Sequence, residues 1–280
     1  KMHNVKYKKA PLPFVGQKRN FVKALIPIIE RQPDDTIFVD LFGGSGLLSN
    51  LVKELKPNAR VIYNDFDNYA ERLAHIDKTE ELRQLIAEKL KDTPKKVKLS
   101  EDLKADICSI VEDFEKQKGF VDLRTVGSWI LFSGRVMSGI QPLRDMIEET
   151  FYNNVVSHPY TAEGYLQGVE RVSKDFRELI DEFKDNPKAL FVCDPPYMLT
   201  DKAHYTKNSW GLSEYLDLLK DMMRANSIYF TSTKSGLLDF YEWWKKEFPE
   251  SIKKAYTIAS IHTSLVRGAK GLEDIMMYNV

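Results

Sequence analysis

The stretch Thr36-Ile-Phe-Val-Asp40-Leu-Phe-Gly43-Gly-Ser-Gly46 decides the fold class of this chain. Its apolar run ends in an acid, which is typical of a buried parallel strand, and a glycine-rich turn follows at once. Leu47 to Leu55 then has the apolar spacing of a helix, and Arg60-Val-Ile-Tyr-Asn-Asp65 has the composition of a second buried strand. Strand, glycine turn, helix and strand in this order predict the nucleotide-binding half of a doubly wound sheet.

The last third of the chain repeats this kind of pattern. Ala189-Leu-Phe-Val-Cys-Asp194 is a predicted buried strand. Further predicted elements are a helix at 213–223, a strand at 227–232, a helix at 237–248 and an antiparallel pair at 255–261 and 274–279. We therefore predict an α/β fold with a seven-stranded, mostly parallel, Rossmann-like sheet and helices on both faces.

Residues 69–165 have a different character. They are rich in charge, and they contain candidate helices at 80–90, 100–117 and 123–137 but no convincing buried strand. We interpret this part as an inserted helical domain that reads the substrate. Residues 1–68 and 166–280 would then form one catalytic domain around the sheet.

Composition and charge narrow the possible functions. Of the 280 residues, 43% are hydrophobic, which is enough for a full-sized core. The 41 basic and 41 acidic residues cancel, so a nucleic-acid partner cannot be inferred from net charge. Two cysteines without paired or metal-ligand spacing, and no apolar run of membrane-spanning length, predict a cytoplasmic protein with no metal and no membrane contact.

The strongest chemical signal is Asp194-Pro195-Pro196-Tyr197, which directly follows a predicted buried strand. An exocyclic amine on an aromatic ring is a poor nucleophile because its lone pair is delocalised into the ring. The Asp194 side chain and the Pro195 carbonyl can accept hydrogen bonds from both amine hydrogens, and the two prolines hold these acceptors in place. Tyr197 offers a flat face for a flipped base. A rigid surface turn is the alternative explanation of the prolines.

The glycine-rich turn indicates an adenosine cofactor but does not say which one. Glycines let a ligand approach the backbone closely, and Asp65 ends the next strand, where a carboxylate can accept both ribose hydroxyls. NAD would use the same two features, so an oxidoreductase stays open on these residues. Asp194-Pro-Pro-Tyr197 favours S-adenosylmethionine.

Four motifs in one order carry a family resemblance: Phe14-Val-Gly16-Gln-Lys18, Phe38-Val-Asp40-Leu-Phe-Gly-Gly-Ser-Gly46, Asn64-Asp-Phe-Asp67 and Asp194-Pro-Pro-Tyr197. Together they resemble the Dam-type (alpha-group) DNA adenine-N6 methyltransferases. The resemblance covers about residues 10–68 and 170–280. It implies a class I methyltransferase sheet with an inserted target-recognition segment, S-adenosylmethionine as the cofactor, and methylation of adenine N6 in double-stranded DNA by direct transfer to a flipped base.

The resemblance also implies roles for individual residues. The catalytic set is Asp194, Pro195, Pro196 and Tyr197. The cofactor set is Phe14, Gly16, Lys18, Asp40, Phe42, Gly43, Gly44, Ser45, Gly46, Asp65, Phe66, Asp175, Phe176 and Asp194. In this set Lys18 takes the place of a lysine near the methionine end of the cofactor, and Asp65 binds the ribose. Asp175 matches an acid that contacts the cofactor adenine, and a solvated helix residue is the alternative.

DNA contacts are expected from side chains that suit base edges or phosphates. The candidates are Arg124, Arg135, Gln141, Arg144 and Arg267, together with Ser133 and Asn153. A solvated helix charge is the alternative for each arginine. RNA adenine, cytosine N4 and a protein glutamine remain alternative acceptors, because each presents a planar nitrogen. The sequence leaves open the recognition site, a restriction partner, a bacterial or phage host, and whether the protein is a monomer or a weak dimer.

Overall fold

The computed structural model describes residues 5–134, 148–196, 210–263 and 272–280. The chain divides into two compact units. The sheet unit comprises Lys1–Lys9, Lys18–Asp67 and Leu166–Val280, and the helical unit comprises Ala10–Gln17 and Asn68–Tyr165.

A seven-stranded sheet forms the centre of the sheet unit. Its strands are β1 (Ile37–Asp40), β2 (Arg60–Asn64), β3 (Glu170–Val172), β4 (Ala189–Cys193), β5 (Asn226–Ser232), β6 (Thr257–Thr263) and β7 (Leu272–Tyr278). Across the sheet their order is β3-β2-β1-β4-β5-β7-β6. β1 to β5 pair in parallel, whereas β7 runs antiparallel to both β5 and β6. The predicted seven-stranded α/β sheet and its closing antiparallel pair are thus confirmed.

Nine helices of the described ranges surround the sheet or build the helical unit. They are α1 (Val22–Glu30), α2 (Leu47–Leu55), α3 (Tyr69–Ala74), α4 (Ile76–Lys89), α5 (Glu101–Lys118), α6 (Leu123–Ile130), α7 (Phe176–Phe183), α8 (Leu212–Arg224) and α9 (Leu237–Glu247). Among these residues no helix is both long and apolar enough to cross a membrane.

The inner parallel strands β1, β2, β4 and β5 are almost entirely buried, which explains their largely apolar composition. On one face Phe38, Leu190 and Phe230 share a core with residues of α1 and α2. On the other face Phe191 and Cys193 share a core with residues of α7, α8 and α9. Cys193 is fully buried, so it acts as a small hydrophobic residue of the core.

The order of the strands determines where a site can form. The chain runs outwards from β1 through β2 to β3 and then returns to β4, which lies on the other side of β1. This reversal is a topological switch point, and the carboxyl ends of the two central strands there leave a crevice in such sheets. Asp40 ends β1 and Asp194 directly follows β4, so both predicted acids lie at this edge of the sheet.

The helical unit has a core of its own, in which Leu82 and Ile86 of α4 share a cluster with Ile107 of α5 and Trp129 of α6. The helix predicted over 123–137 ends earlier, at Ile130, and a short 3-10 turn at Phe132–Gly134 follows it. A buried ion pair joins Arg72 Nε to Asp122 Oδ2 at 3.0 Å. The same carboxylate caps α6 by accepting from the Thr125 backbone amide, which explains where this helix begins.

Candidate active site

Asp194 and Lys18 form an ion pair at the end of β4. Lys18 Nζ lies 2.7 Å from Asp194 Oδ2, and the side chains are 7% and 18% exposed respectively. The ammonium group also lies 5.9 Å from the centre of the Phe230 ring. Burial raises the pKa of Asp194, and the charge of Lys18 and its hydrogen bond oppose that rise. Lys18 therefore favours the ionised form of Asp194, in which both oxygens accept hydrogen bonds.

Asp274 is a third charged residue at this position, and sequence reasoning missed it. It lies on β7 opposite Ser232 of β5, and its negative charge raises the pKa of Asp194. An acid near the start of a predicted closing strand was visible in the sequence. Its proximity to Asp194 depends on long-range strand pairing, which the local pattern does not contain.

Asp40 is buried beneath the glycine-rich turn. Its Oδ2 accepts a hydrogen bond of 2.6 Å from Ser49 Oγ on α2, whereas Oδ1 is buried and has no hydrogen-bond partner in the described part of the chain. Burial raises the pKa of Asp40 to about 7; the Ser49 hydrogen bond opposes this rise and the Asp194 charge adds to it. A buried acceptor without a donor is uncommon in proteins and is often explained by a ligand.

The backbone after Asp194 is fixed by a buried tyrosine of α8. Tyr215 is 5% exposed, and its hydroxyl donates a hydrogen bond of 2.6 Å to the Pro196 carbonyl. Two prolines already restrict this backbone, so the added hydrogen bond makes the position of the Pro195 carbonyl still better defined. Within the ranges that the structure describes, no hydrogen bond engages that carbonyl. Tyr197, the last predicted catalytic residue, lies outside these ranges.

Contacts with Tyr63 and the backbone angles of the glycines account for the tight glycine-rich turn. Gly44 and Gly46 have φ angles of 49° and 73°, which side chains rarely adopt. A Cβ atom at Gly43 would overlap the Tyr63 ring, and the Tyr63 hydroxyl donates to the Gly44 carbonyl at 2.8 Å. The turn is therefore held against β2, and α2 begins directly after Gly46. Ser45, within this turn, is buried.

Asp65 lies beside the turn at the end of β2 and is fully buried. Its Oδ2 accepts from Arg171 Nε at 2.9 Å, and the arginine side chain, on the edge strand β3, is 46% exposed. The next residue, Phe66, is 73% exposed. Sequence reasoning missed Arg171, because Glu170-Arg171-Val172 is too short and too polar to indicate a strand.

Four aromatic side chains pack together in the sheet unit. The rings of Phe42 and Phe176 have centroids 5.1 Å apart, and Trp210 stacks on Phe176 with centroids 4.9 Å apart. Trp210 also contacts Tyr215, at 5.0 Å. Tyr215 also donates to the Pro196 carbonyl. The cluster therefore links Phe42, which follows β1, to the backbone that follows Asp194.

Asp175 has a structural role at the start of α7. It is the N-cap of that helix, where its side chain accepts from the Arg177 backbone amide at 2.9 Å. It also forms an ion pair with the Arg177 guanidinium at 3.3 Å, and the carboxylate is 49% exposed. These contacts account for Asp175 without a ligand, and its predicted contact with a cofactor stays a prediction.

The other predicted residues are distributed over the chain. Phe14 and Gly16 belong to the helical unit, where the Phe14 ring packs edge-on against Tyr69 at 5.7 Å. Arg124 is partly buried in the first turn of α6. The expectation for Asn153 is wrong, because its side chain is 1% exposed and donates to the Thr93 carbonyl at 2.6 Å. Four predicted DNA contacts lie outside the described residues: Arg135, Gln141, Arg144 and Arg267.

The residues at the switch point fit an adenosine cofactor with a cationic end. The unpartnered Asp40 oxygen is a buried acceptor for an ammonium or N–H donor, and Asp65 supplies a second carboxylate on the neighbouring strand. A metal has no comparable support, since no group of three or more His, Cys, Asp or Glu residues in the described segments could hold an ion.

The sheet order and the acid at the end of β4 define the class of protein. A parallel sheet closed by an antiparallel β7 between β5 and β6 is the Rossmann-like sheet of the class I methyltransferases. The model of the D12 class N6 adenine-specific DNA methyltransferases matches residues 14–150. A curated Haemophilus influenzae protein, whose name describes it as a methyltransferase without giving a substrate, is 38% identical over 280 residues, which covers 97% of this chain and 92% of that protein.

The chain therefore belongs to the D12 class N6 adenine-specific DNA methyltransferase family. This membership decides between the two cofactor classes that the glycine turn left open, in favour of a methyltransferase.

Two solved structures of methyltransferases align with most of this chain at low scores. A precorrin-6y C5,15-methyltransferase from Geobacter metallireducens aligns over 98% of this chain and 98% of its own, with a TM-score of 0.40 and 11% identity. An rRNA methylase from Streptococcus thermophilus aligns over 96% of this chain and 100% of its own, with a TM-score of 0.37 and 8% identity.

Proposed function

We propose that this protein transfers a methyl group from S-adenosylmethionine to N6 of adenine in double-stranded DNA, and that the target base is flipped out of the duplex. The observation that carries the proposal is the position of Asp194. It follows a central strand, is paired with Lys18, and precedes the rigid Pro195-Pro196 backbone. Membership of an adenine-N6 DNA methyltransferase family supports adenine as the target.

The protein would act on the amine through two acceptors. Asp194 would accept a hydrogen bond from one N6–H and the Pro195 carbonyl from the other, which draws the nitrogen towards a tetrahedral geometry and localises its lone pair. The proton that N6 loses on methylation would leave by way of the Asp194 carboxylate. Acceptors that are fixed before the reaction need no reorganisation during it, and this is the main source of their effect. Lys18 holds one carboxylate oxygen, and Tyr215 holds the Pro196 carbonyl that follows. Tyr197 would stack on the flipped base.

The cofactor would be held by residues of the sheet unit around the switch point. When bound, S-adenosylmethionine supplies a methyl group made electrophilic by its sulfonium. Asp40 and the turn at Gly43–Gly46 would bind the methionine end, and Asp65 would accept from the ribose hydroxyls. Phe42, Phe66 and Phe176 are the aromatic side chains of the sheet unit predicted for the cofactor. In-line transfer then needs no covalent enzyme intermediate.

DNA binding is proposed for the helical unit, together with Arg267. Arginine and glutamine side chains suit bidentate contacts with guanine and adenine edges, and basic side chains neutralise phosphates. The candidates remain Arg124, Arg135, Gln141, Arg144 and Arg267. The chain has no net charge, so DNA affinity would depend on the local distribution of these residues.

A comparison of acceptors tests this function. The protein is incubated with labelled S-adenosylmethionine and, in parallel, with unmethylated duplex DNA, the same sequence as single-stranded RNA, and a mixture of peptides that contain glutamine. We expect incorporation into duplex DNA above the other two. Incorporation into RNA or peptide alone would reassign the substrate, and N4-methylcytosine in the DNA would retain the substrate class but change the target base.

A further inference from the structure

Asp65 and Arg171 form an ion pair at the carboxyl end of β2. Asp65 is fully buried at the carboxyl end of β2, where the proposed function requires a carboxylate for the ribose hydroxyls. Its Oδ2 is already bound to Arg171 Nε at 2.9 Å. A buried carboxylate needs a counter-ion or hydrogen-bond donors, and here the guanidinium fills that role.

Hydrogen bonds hold the backbone around this ion pair in place. A ligand that reaches Asp65 would therefore displace a side chain and not the backbone. The Asp65 amide donates to the Val172 carbonyl at 2.8 Å, which continues the pairing of β2 with β3. The Asn64 side chain donates to the carbonyls of Leu41 and Lys174 at 2.9 and 3.0 Å. These bonds join the ends of the three strands, whereas the Arg171 side chain is half-exposed and can rotate into solvent.

We infer that Arg171 sets the affinity of the cofactor site by competition: its guanidinium occupies the Asp65 carboxylate that the ribose hydroxyls require, and it moves aside when they bind. The inference rests on the proposed use of Asp65 for the ribose. Part of the binding free energy is then spent on breaking an existing ion pair. Removal of the arginine takes one donor away from the buried carboxylate, and a ribose hydroxyl can then replace that donor without displacing a charge.

The test measures binding of S-adenosylhomocysteine by calorimetry to the full chain and to Arg171→Met, which keeps much of the side-chain volume but no charge. We expect the variant to bind about fivefold more tightly or better, within the usual range of coupling between two competing contacts. Its melting temperature without ligand should fall, and the ligand-induced rise in melting temperature should grow.

A matched control lies on the same two strands. Arg60 of β2 pairs with Glu170 of β3 through two bonds of 2.8 and 2.9 Å, and both side chains are about half-exposed. Arg60→Met removes an arginine ion pair at the opposite end of β2 and should leave the dissociation constant unchanged. The gain from Arg171→Met should also disappear in an Asp65→Asn background, because the two residues act through one contact.

The outcomes separate this inference from the proposed function. Unchanged or weaker binding by Arg171→Met, with normal binding by the wild type, overturns the competition and leaves the methyltransferase proposal standing. The same follows if the gain persists in full in the Asp65→Asn background. If the wild-type protein does not bind S-adenosylhomocysteine, both the cofactor site and the inference are overturned.

Discussion

Lys18 Nζ lies 2.7 Å from Asp194 Oδ2, so the predicted catalytic carboxylate is held by a lysine that the resemblance assigned to the methionine end of the cofactor. The pair engages one oxygen of Asp194 and favours its charged form, against the effect of burial. We therefore expect Lys18 to position Asp194, which accepts a hydrogen bond from the amine. Removal of Lys18 should change the protonation of Asp194 before it changes cofactor binding.

Lys18→Met should raise the pKa of Asp194, because the opposing charge is lost while burial remains. Asp194 accepts best when ionised, so activity falls as pH drops through its pKa. The acid limb of kcat/KM against pH should therefore move to higher pH, and Lys18→Arg should restore part of the original profile. Lys188→Met, which breaks the exposed pair of Lys188 with Asp35, is the control that should not move it. If Lys18→Met leaves the acid limb unmoved and changes only the KM for the cofactor, Lys18 contacts the methionine end of the cofactor instead.

Asp274→Asn should have the opposite effect. The negative charge of Asp274 raises the pKa of Asp194, so its removal should lower that pKa and move the acid limb to lower pH. The measurement is again a pH profile of kcat/KM, compared with wild type at the same ionic strength. A shift in the same direction as that of Lys18→Met would show that Asp274 does not act through its charge on Asp194.

Tyr215→Phe removes the hydroxyl that donates to the Pro196 carbonyl while it keeps the ring. A hydrogen bond of this kind is worth about 1 kcal/mol, so kcat should fall about fivefold if the bond positions the backbone acceptor in the transition state. Tyr241→Phe is a suitable control, since Tyr241 accepts from the Tyr256 amide in the core and should affect melting temperature without selectively lowering kcat. Equal effects of the two variants on kcat would contradict the positioning role of Tyr215.

Asp40 should make the fold less stable as pH rises. Burial raises its folded pKa from 3.8 to about 7, so the unfolded chain loses this proton at lower pH than the folded one. Below the pKa of the unfolded state, Asp40 is protonated in both states and does not lower the free energy of unfolding. Between about pH 4 and pH 7 the penalty grows, to about 4 kcal/mol at most, since one pKa unit corresponds to about 1.4 kcal/mol. Asp40→Asn should therefore melt higher than wild type at pH 8, with a smaller difference at pH 5. A constant difference over this range would show that Asp40 is ionised throughout.

The parts of the fold that the sequence predicts are those with a local signal. β1 and β4 are unbroken apolar runs, and the turn after β1 carries glycines that the left-handed angles at Gly44 and Gly46 require. For the same reason Asp40 and Asp194 were found, because each directly ends or follows such a run. Their common edge of the sheet then follows from the rule for parallel strands.

The parts that were missed depend on contacts between distant segments. Arg171 lies on a three-residue edge strand, where charged side chains are tolerated and no apolar alternation develops. Asp274 reaches the site through the antiparallel register of β7, and Tyr215 through a hydrogen bond to a backbone carbonyl. Neither kind of contact has a sequence pattern. Asn153 shows the converse error, since a polar residue in a polar segment proved to be buried for structural hydrogen bonds.

Nucleoside analysis of unmethylated duplex DNA, after incubation with S-adenosylmethionine and either the wild-type protein or Asp194→Ala, tests whether Asp194 carries adenine methylation. We expect N6-methyladenine from the wild type, and a rate at least about a hundredfold lower from a variant that still folds and still binds the cofactor. N6-methyladenine formed at a near-normal rate by Asp194→Ala, or no methylated adenine from a wild-type protein that binds the cofactor, would contradict this expectation.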